Sequence, residues 1–111
     1  FMTTLLTDPS ADSSIICLRA LQPGLPDIPL TDFPFIIGKQ SSLADFHLDK
    51  DTVSRLHLKI EKLEDGYRIT DLKSTNGTWV NGRQLANNEG IDIGIGDEVQ
   101  LAEWKYCFKN I

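Results

Sequence analysis

Apolar and polar positions alternate with a period of two through most of this chain, and turn residues break the alternation at short intervals. Ile15 to Leu21 reads as a first strand, with Ile16, Leu18 and Ala20 on one face. Phe33 to Ile37 is apolar and ends at Gly38, where a loop must begin. Leu58-Lys59-Ile60 and Tyr67-Arg68-Ile69 flank Asp65-Gly66, a dipeptide suited to a type I′ hairpin. Asn76-Gly77 and Asn81-Gly82 bracket Thr78-Trp79-Val80, which is short enough to be one strand. Val99 and Leu101 alternate with polar neighbours, as do Trp104, Tyr106 and Phe108 with Lys105, Cys107 and Lys109. Such runs place one buried face on each strand.

No segment carries a 3.6-residue apolar stripe over three turns, and Pro23, Pro26, Pro29 and Pro34 exclude a helix through their region. Many short strands with Gly-rich turns, including Gly90, Gly94 and Gly96, predict an all-β sandwich. Residues 1–13 hold Thr, Asp, Pro and Ser without periodicity and read as a tail or linker, leaving 14–111 as the domain. Phe1 precedes Met2, so the chain is expected to be part of a larger polypeptide or to begin on an added residue.

Composition narrows the class. At 111 residues, 41% apolar and 24% charged, the chain is long enough to bury one core and too apolar for disorder. No apolar run approaches the roughly 18 residues a membrane helix needs, and Thr3 to Ser14 lacks a signal-peptide pattern. No membrane contact is expected from this segment. A net charge of −5 argues against nucleic acid as ligand, because phosphate-backbone affinity needs a field of Lys and Arg. A single phosphate needs only local cations, and Lys39, Arg55, Lys73 and Arg83 fall in or beside the turns.

Cys17 and Cys107 lie far apart, with no CxxC or Cys/His cluster, so no metal and no other cofactor is expected. Free thiols fit a cytoplasmic location, and a disulfide stays open as an alternative if the first and last strands are neighbours. Both cysteines alternate with Lys or Arg and are expected to face away from the core.

The informative chemistry runs from Gly38 to Gly82. Gly38-Lys39, Ser54-Arg55-x-His57 and Asp71-x-x-Ser74-Thr75-Asn76-Gly77-Thr78-x-Val80-Asn81-Gly82 place hydroxyls, cations, an amide and turn glycines beside strand ends. A phosphate dianion has three acceptor oxygens and needs donors from several directions, which loops at one end of a sandwich supply. A Ser54, His57 and Asp71 triad is a poor alternative. Ser and His three apart at a strand start do not give a nucleophile–base bond, and no nucleophile elbow or nucleotide loop is present, so the chain is not expected to be an enzyme. The remaining polar landmarks read as structure. Asp71 is expected to close a turn, and His47 to be a strand residue facing solvent. The tyrosines and tryptophans are expected to fill the core or a sheet face.

The ordered set resembles the forkhead-associated (FHA) domain, a phosphothreonine-peptide reader, over roughly residues 15–110. The resemblance implies a sandwich of two antiparallel sheets with ligand loops at one end. It assigns Lys39, Ser54, Arg55, Thr75 and Asn76 to the phosphopeptide, with Lys39 and Arg55 neutralising phosphate. In the same assignment Ser54 and Thr75 donate hydroxyl hydrogen bonds, and Asn76 holds the peptide main chain. Gly38, His57 and Gly77 would support the loops. The partner implied is a phosphothreonine-containing protein. Lys39 departs from the family's usual arginine. Lysine is a flexible point charge where arginine presents a planar fork, so a grip weaker by roughly tenfold is expected unless Arg55 or Lys73 compensates. Lys39 also keeps a second reading in view, an FHA-fold module that binds its partner independently of phosphorylation. A third is recognition of phosphorylated Thr3, Thr4, Thr7 or Ser10 in the chain's own tail.

Overall fold

Period-two alternation becomes eleven strands in the structure, a computed structural model that describes residues 16–110. The strands are β1 (Ile16–Ala20), β2 (Ile28–Leu30), β3 (Phe35–Gly38), β4 (Phe46–His47), β5 (Leu58–Leu63) and β6 (Gly66–Asp71). They continue with β7 (Thr78–Val80), β8 (Arg83–Gln84), β9 (Gly90–Ile93), β10 (Glu98–Leu101) and β11 (Trp104–Asn110). One sheet runs β9-β6-β5-β3-β4 and the other β2-β1-β11-β10-β7-β8. The expected tail over residues 1–13, with its threonines, lies outside the described residues.

The sheets close on one core. Phe35, Ile37, Leu58, Ile60, Ile69 and Ile93 come from the first sheet, and Ile16, Leu18, Val99, Leu101, Tyr106 and Phe108 from the second. Tyr67 joins the layers, with its ring centroid 5.2 Å from that of Phe108 and 5.4 Å from that of Phe33. Leu48 and Val53, from the loop after β4, are buried in the same core. That loop is therefore anchored by burial at both points, which matters for the site it carries.

Two details of pairing and turn differ from the sequence reading. Pairing is antiparallel except for a two-residue parallel contact, in which Ile37 faces Phe46 and Gly38 faces His47. The β5–β6 hairpin turns on Glu64-Asp65, because Leu63 already pairs with Gly66, and neither central residue has a positive φ. The type I′ expectation for Asp65-Gly66 therefore fails by one residue. Asn81-Gly82, with φ of 50° and 83°, does form the left-handed turn between Val80 and Arg83.

β1 and β11 are neighbours, yet Cys17 pairs with Lys109 and Cys107 with Arg19. The thiols sit diagonally and both are free. Cys17 belongs to the face opposite Ile16 and Leu18, but it is buried all the same. Burial pushes its thiol up from the ordinary value, so it is less readily ionised. Among the described residues no helix is long and apolar enough to cross a membrane.

Candidate functional site

Gly38 ends β3 where the chain must run against the loop before β5. A Cβ at this position would lie 2.0 Å from the Arg55 carbonyl oxygen, so only glycine permits the approach. Four backbone bonds use that proximity. Lys39 N donates to Ser54 O (2.9 Å), Gln40 N to Arg55 O (3.1 Å), His57 N to Ile37 O (2.9 Å) and Leu48 N to Gly38 O (2.9 Å). Ser54 and Arg55 are thus held against the end of β3 through their main chain, and their side chains are left for other work.

His57 is fully buried and joins two loops. Its Nδ1 accepts from the Ser54 backbone N–H at 3.1 Å, and because that group can only donate, the ring proton resides on Nε2. Nε2 then donates to the Gly77 carbonyl at 2.8 Å. Burial holds the imidazole below its ordinary pKa, partly offset by the Gly77 bond and the Asp71 charge. The neutral ring is the one both bonds require.

Asp71, 1% exposed, organises the second loop. Its carboxylate accepts from Ser74 N (3.1 Å), Ser74 Oγ (2.5 Å) and buried Thr78 Oγ1 (2.7 Å). Ser74 Oγ in turn accepts from Gly77 N at 3.1 Å. Gly77 has φ of 94° and lies against the Trp79 ring, where a Cβ would come within 2.6 Å. Lys73 takes φ of 58° earlier in the loop. These constraints turn Thr75 and Asn76 outward, and both are exposed.

The two loops meet through the residues singled out by sequence. Thr75 N donates to Ser54 Oγ at 2.9 Å, and Asn76 Nδ2 donates to Thr52 O at 2.8 Å. Thr52 Oγ1 donates to Glu103 Oε1 (2.6 Å) and accepts from Trp104 Nε1 (3.0 Å), which ties the site to the β10–β11 turn. Lys50 Nζ sits 4.7 Å above the Trp104 ring. An open cleft of about 760 Å³ lies beside these contacts, with Gln40, Leu43, Ser54, Arg55, Lys73 and Thr75 on its walls. Arg55 and Lys73 are exposed there.

Ser54, Arg55 and Thr75 therefore converge, as the family resemblance implied, and Lys73 joins them. Lys39 and Asn76 are not among the cleft walls. The Lys39 ammonium instead donates to Asp51 Oδ1 at 2.8 Å. That hydrogen bond raises the lysine's pKa and lowers the aspartate's, as expected of partners stabilising each other's charge. Both groups are solvent-accessible, so the pair is weak and replaceable. Sequence reading missed Asp51 and Thr52, because an acidic and a hydroxyl residue in a turn carry no signal until the loop is folded.

A phosphate-sized anion would meet two cations, a serine hydroxyl and a threonine hydroxyl here, on a scaffold already satisfied internally. The sequence model of the FHA domain matches residues 35–102, which span the whole site. The oxoglutarate dehydrogenase inhibitor of Corynebacterium diphtheriae is 34% identical over 79 residues, covering 71% of this chain and 53% of that protein. Glycogen accumulation regulator GarA of Mycolicibacterium smegmatis is 35% identical over 83 residues, covering 71% and 48%. The chain thus spans about half the length of these curated relatives. Among solved structures, Mycobacterium tuberculosis EmbR in complex with a low affinity phosphopeptide superposes with a TM-score of 0.76. That alignment has 26% identity and covers 86% of this chain and 24% of EmbR. Family match, identity and fold agree: the chain belongs to the FHA domain family.

Proposed function

We propose that this domain binds phosphothreonine in a partner protein and acts as a non-catalytic recognition module. The observation that carries the reading is the Thr75 N to Ser54 Oγ bond at 2.9 Å, which fastens both ligand loops at the mouth of a cleft flanked by Arg55 and Lys73. Little ordering entropy opposes binding when the loops are preset by His57 and Asp71. Ser54, Arg55 and Thr75 would contact the phosphate, with Lys73 supplementing them and Lys39 recruited from Asp51. The Asn76 amide uses one donor on Thr52 O and keeps its oxygen for a peptide main chain.

The relatives support a regulatory setting, since one is named an inhibitor of oxoglutarate dehydrogenase and another a regulator of glycogen accumulation. The phosphopeptide bound to EmbR supports the class of ligand. A cytoplasmic setting belongs to the same proposal, supported by two free thiols. Phosphorylation-independent binding is the second reading, and the Lys39–Asp51 pair favours it by occupying one proposed phosphate cation. Against it stand Arg55 and Lys73, which no acidic side chain engages within ion-pair distance among the described residues.

Titration of degenerate phosphothreonine, phosphoserine and unphosphorylated peptide pools by fluorescence anisotropy tests the proposal. Selective binding of the phosphothreonine pool, lost in Arg55→Ala, is expected. A folded protein with no phospho-dependent signal up to millimolar peptide overturns it.

A further inference from the structure

We propose that Asp51 selects the ligand: it holds Lys39 while the site is empty, and on binding turns to a Lys or Arg that flanks the phosphothreonine. This inference rests on the phosphothreonine reading and deepens it.

The geometry around Lys39 leads to it. Lys39 leaves the end of β3 with its main chain bonded to Ser54, one residue from the Arg55 that lines the cleft. Its main chain is thus fixed beside the residues proposed to hold phosphate, while its ammonium points to Asp51 at 2.8 Å. The Asp51 side chain is otherwise fully open to solvent, and its only side-chain bond among the described residues is the one to Lys39. A dianionic phosphate is a stronger partner for an ammonium than a monoanionic carboxylate. When phosphate captures Lys39, Asp51 is left as an unpaired charge on the loop that carries Ser54.

The surroundings fix the sign of what replaces the lysine. Asp49 lies two residues away, and Glu103 sits beside Thr52, the residue next to Asp51. Lys50 is engaged over the Trp104 ring. His47, 4.0 Å from Asp49, is the other basic group near this edge. Arg55 and Lys73 mark the cleft wall as basic while this edge is acidic. A bound peptide therefore experiences a charge gradient along its length. The anion belongs at Arg55 and Lys73, and a cation belongs next to it at Asp51. An acidic flank would meet the freed carboxylate and be rejected by like-charge repulsion.

The test titrates wild-type, Asp51→Asn and Asp51→Glu proteins with three phosphothreonine peptide pools carrying Lys, Ala or Glu at the flanking positions. Wild-type protein is expected to prefer the Lys pool over the Glu pool by about tenfold. Asp51→Asn is expected to bind the Ala pool about two- to fivefold more tightly, because Lys39 is released, and to lose most of the flank preference. Asp51→Glu, which restores the charge, should restore the preference. An unchanged Lys-over-Glu ratio in Asp51→Asn overturns the inference and leaves the phosphothreonine reading intact. Failure of wild-type protein to bind any of the three pools overturns both.

Discussion

His57 Nε2 donates to the Gly77 carbonyl at 2.8 Å, joining two ligand loops that lie 20 residues apart in the chain. The same ring accepts from Ser54 N, so one buried side chain sets the spacing between the Ser54 loop and the Thr75 loop. It neither lines the cleft nor needs to. Replacing His57 with Ala leaves the part-buried Ser54 N–H without its partner, leaves the Gly77 carbonyl with only its bond from Ala102 N, and opens a void. A loss of about 3 kcal/mol is expected, read from chemical denaturation.

The same ring makes stability depend on pH. Its folded pKa lies below the unfolded value of about 6.5 because burial opposes the charged form. The unfolded chain therefore binds more protons as pH falls, and stability rises with pH in this range. His57 contributes its full stabilisation above about pH 6.5 and loses it progressively as pH falls toward the lower folded value. Denaturation midpoints measured at pH 7.5 and 5.5 should show this decline, and His57→Gln should flatten it.

Gly38→Ala tests the closeness of β3 to the Ser54 loop. The added methyl would meet the Arg55 carbonyl oxygen at 2.0 Å, and that carbonyl already accepts from Gln40 N. Backbone must move, which costs about 3 kcal/mol or more. Ser54 and Arg55 would shift with it, so peptide affinity should fall together with thermal stability.

Lys39→Arg is expected to strengthen phosphopeptide binding several-fold. Guanidinium can grip two phosphate oxygens at once, whereas the ammonium offers one point of charge. Affinity in the variant should also fall less steeply between 50 and 500 mM salt, since bidentate hydrogen bonds resist screening better than a loose charge pair. Parallel anisotropy titrations of wild-type and variant protein across that salt range measure both effects.

Much of this arrangement was legible in the sequence because turn chemistry and alternation are local. Asn81-Gly82, Gly38 and the Thr78–Val80 strand could be read directly, and each stands where expected. Ser54, Arg55 and Thr75 converge too, which spacing alone could not show and only the family resemblance implied. Other features depend on neighbours remote in sequence. The Lys39–Asp51 pair and the Thr52 bridge to Glu103 and Trp104 arise only once β3, the following loop and the β10–β11 turn are brought together. The hairpin turns on Glu64-Asp65 and not on Asp65-Gly66 because pairing of Leu63 with Gly66 overrides the local Asp-Gly preference. Cys17 is buried although basic residues alternate with it.

Tyr106 gives a contrasting expectation. Its ring is fully buried in the core, and its hydroxyl has no hydrogen-bond partner among the described residues. Burial drives the phenol's pKa well above its ordinary value, so the group stays neutral throughout the accessible pH range. An unpaired buried hydroxyl loses its hydration without recompense, while the ring keeps all its packing if the oxygen is removed. Tyr106→Phe should therefore be neutral or stabilising by up to about 1 kcal/mol, unlike the losses at His57 and Gly38. Chemical denaturation checks this directly. A clear destabilisation would mean that the hydroxyl is paired in solution, by a water or by the chain outside residues 16–110. Peptide affinity should not change, because Tyr106 lies on β11 and lines no part of the cleft.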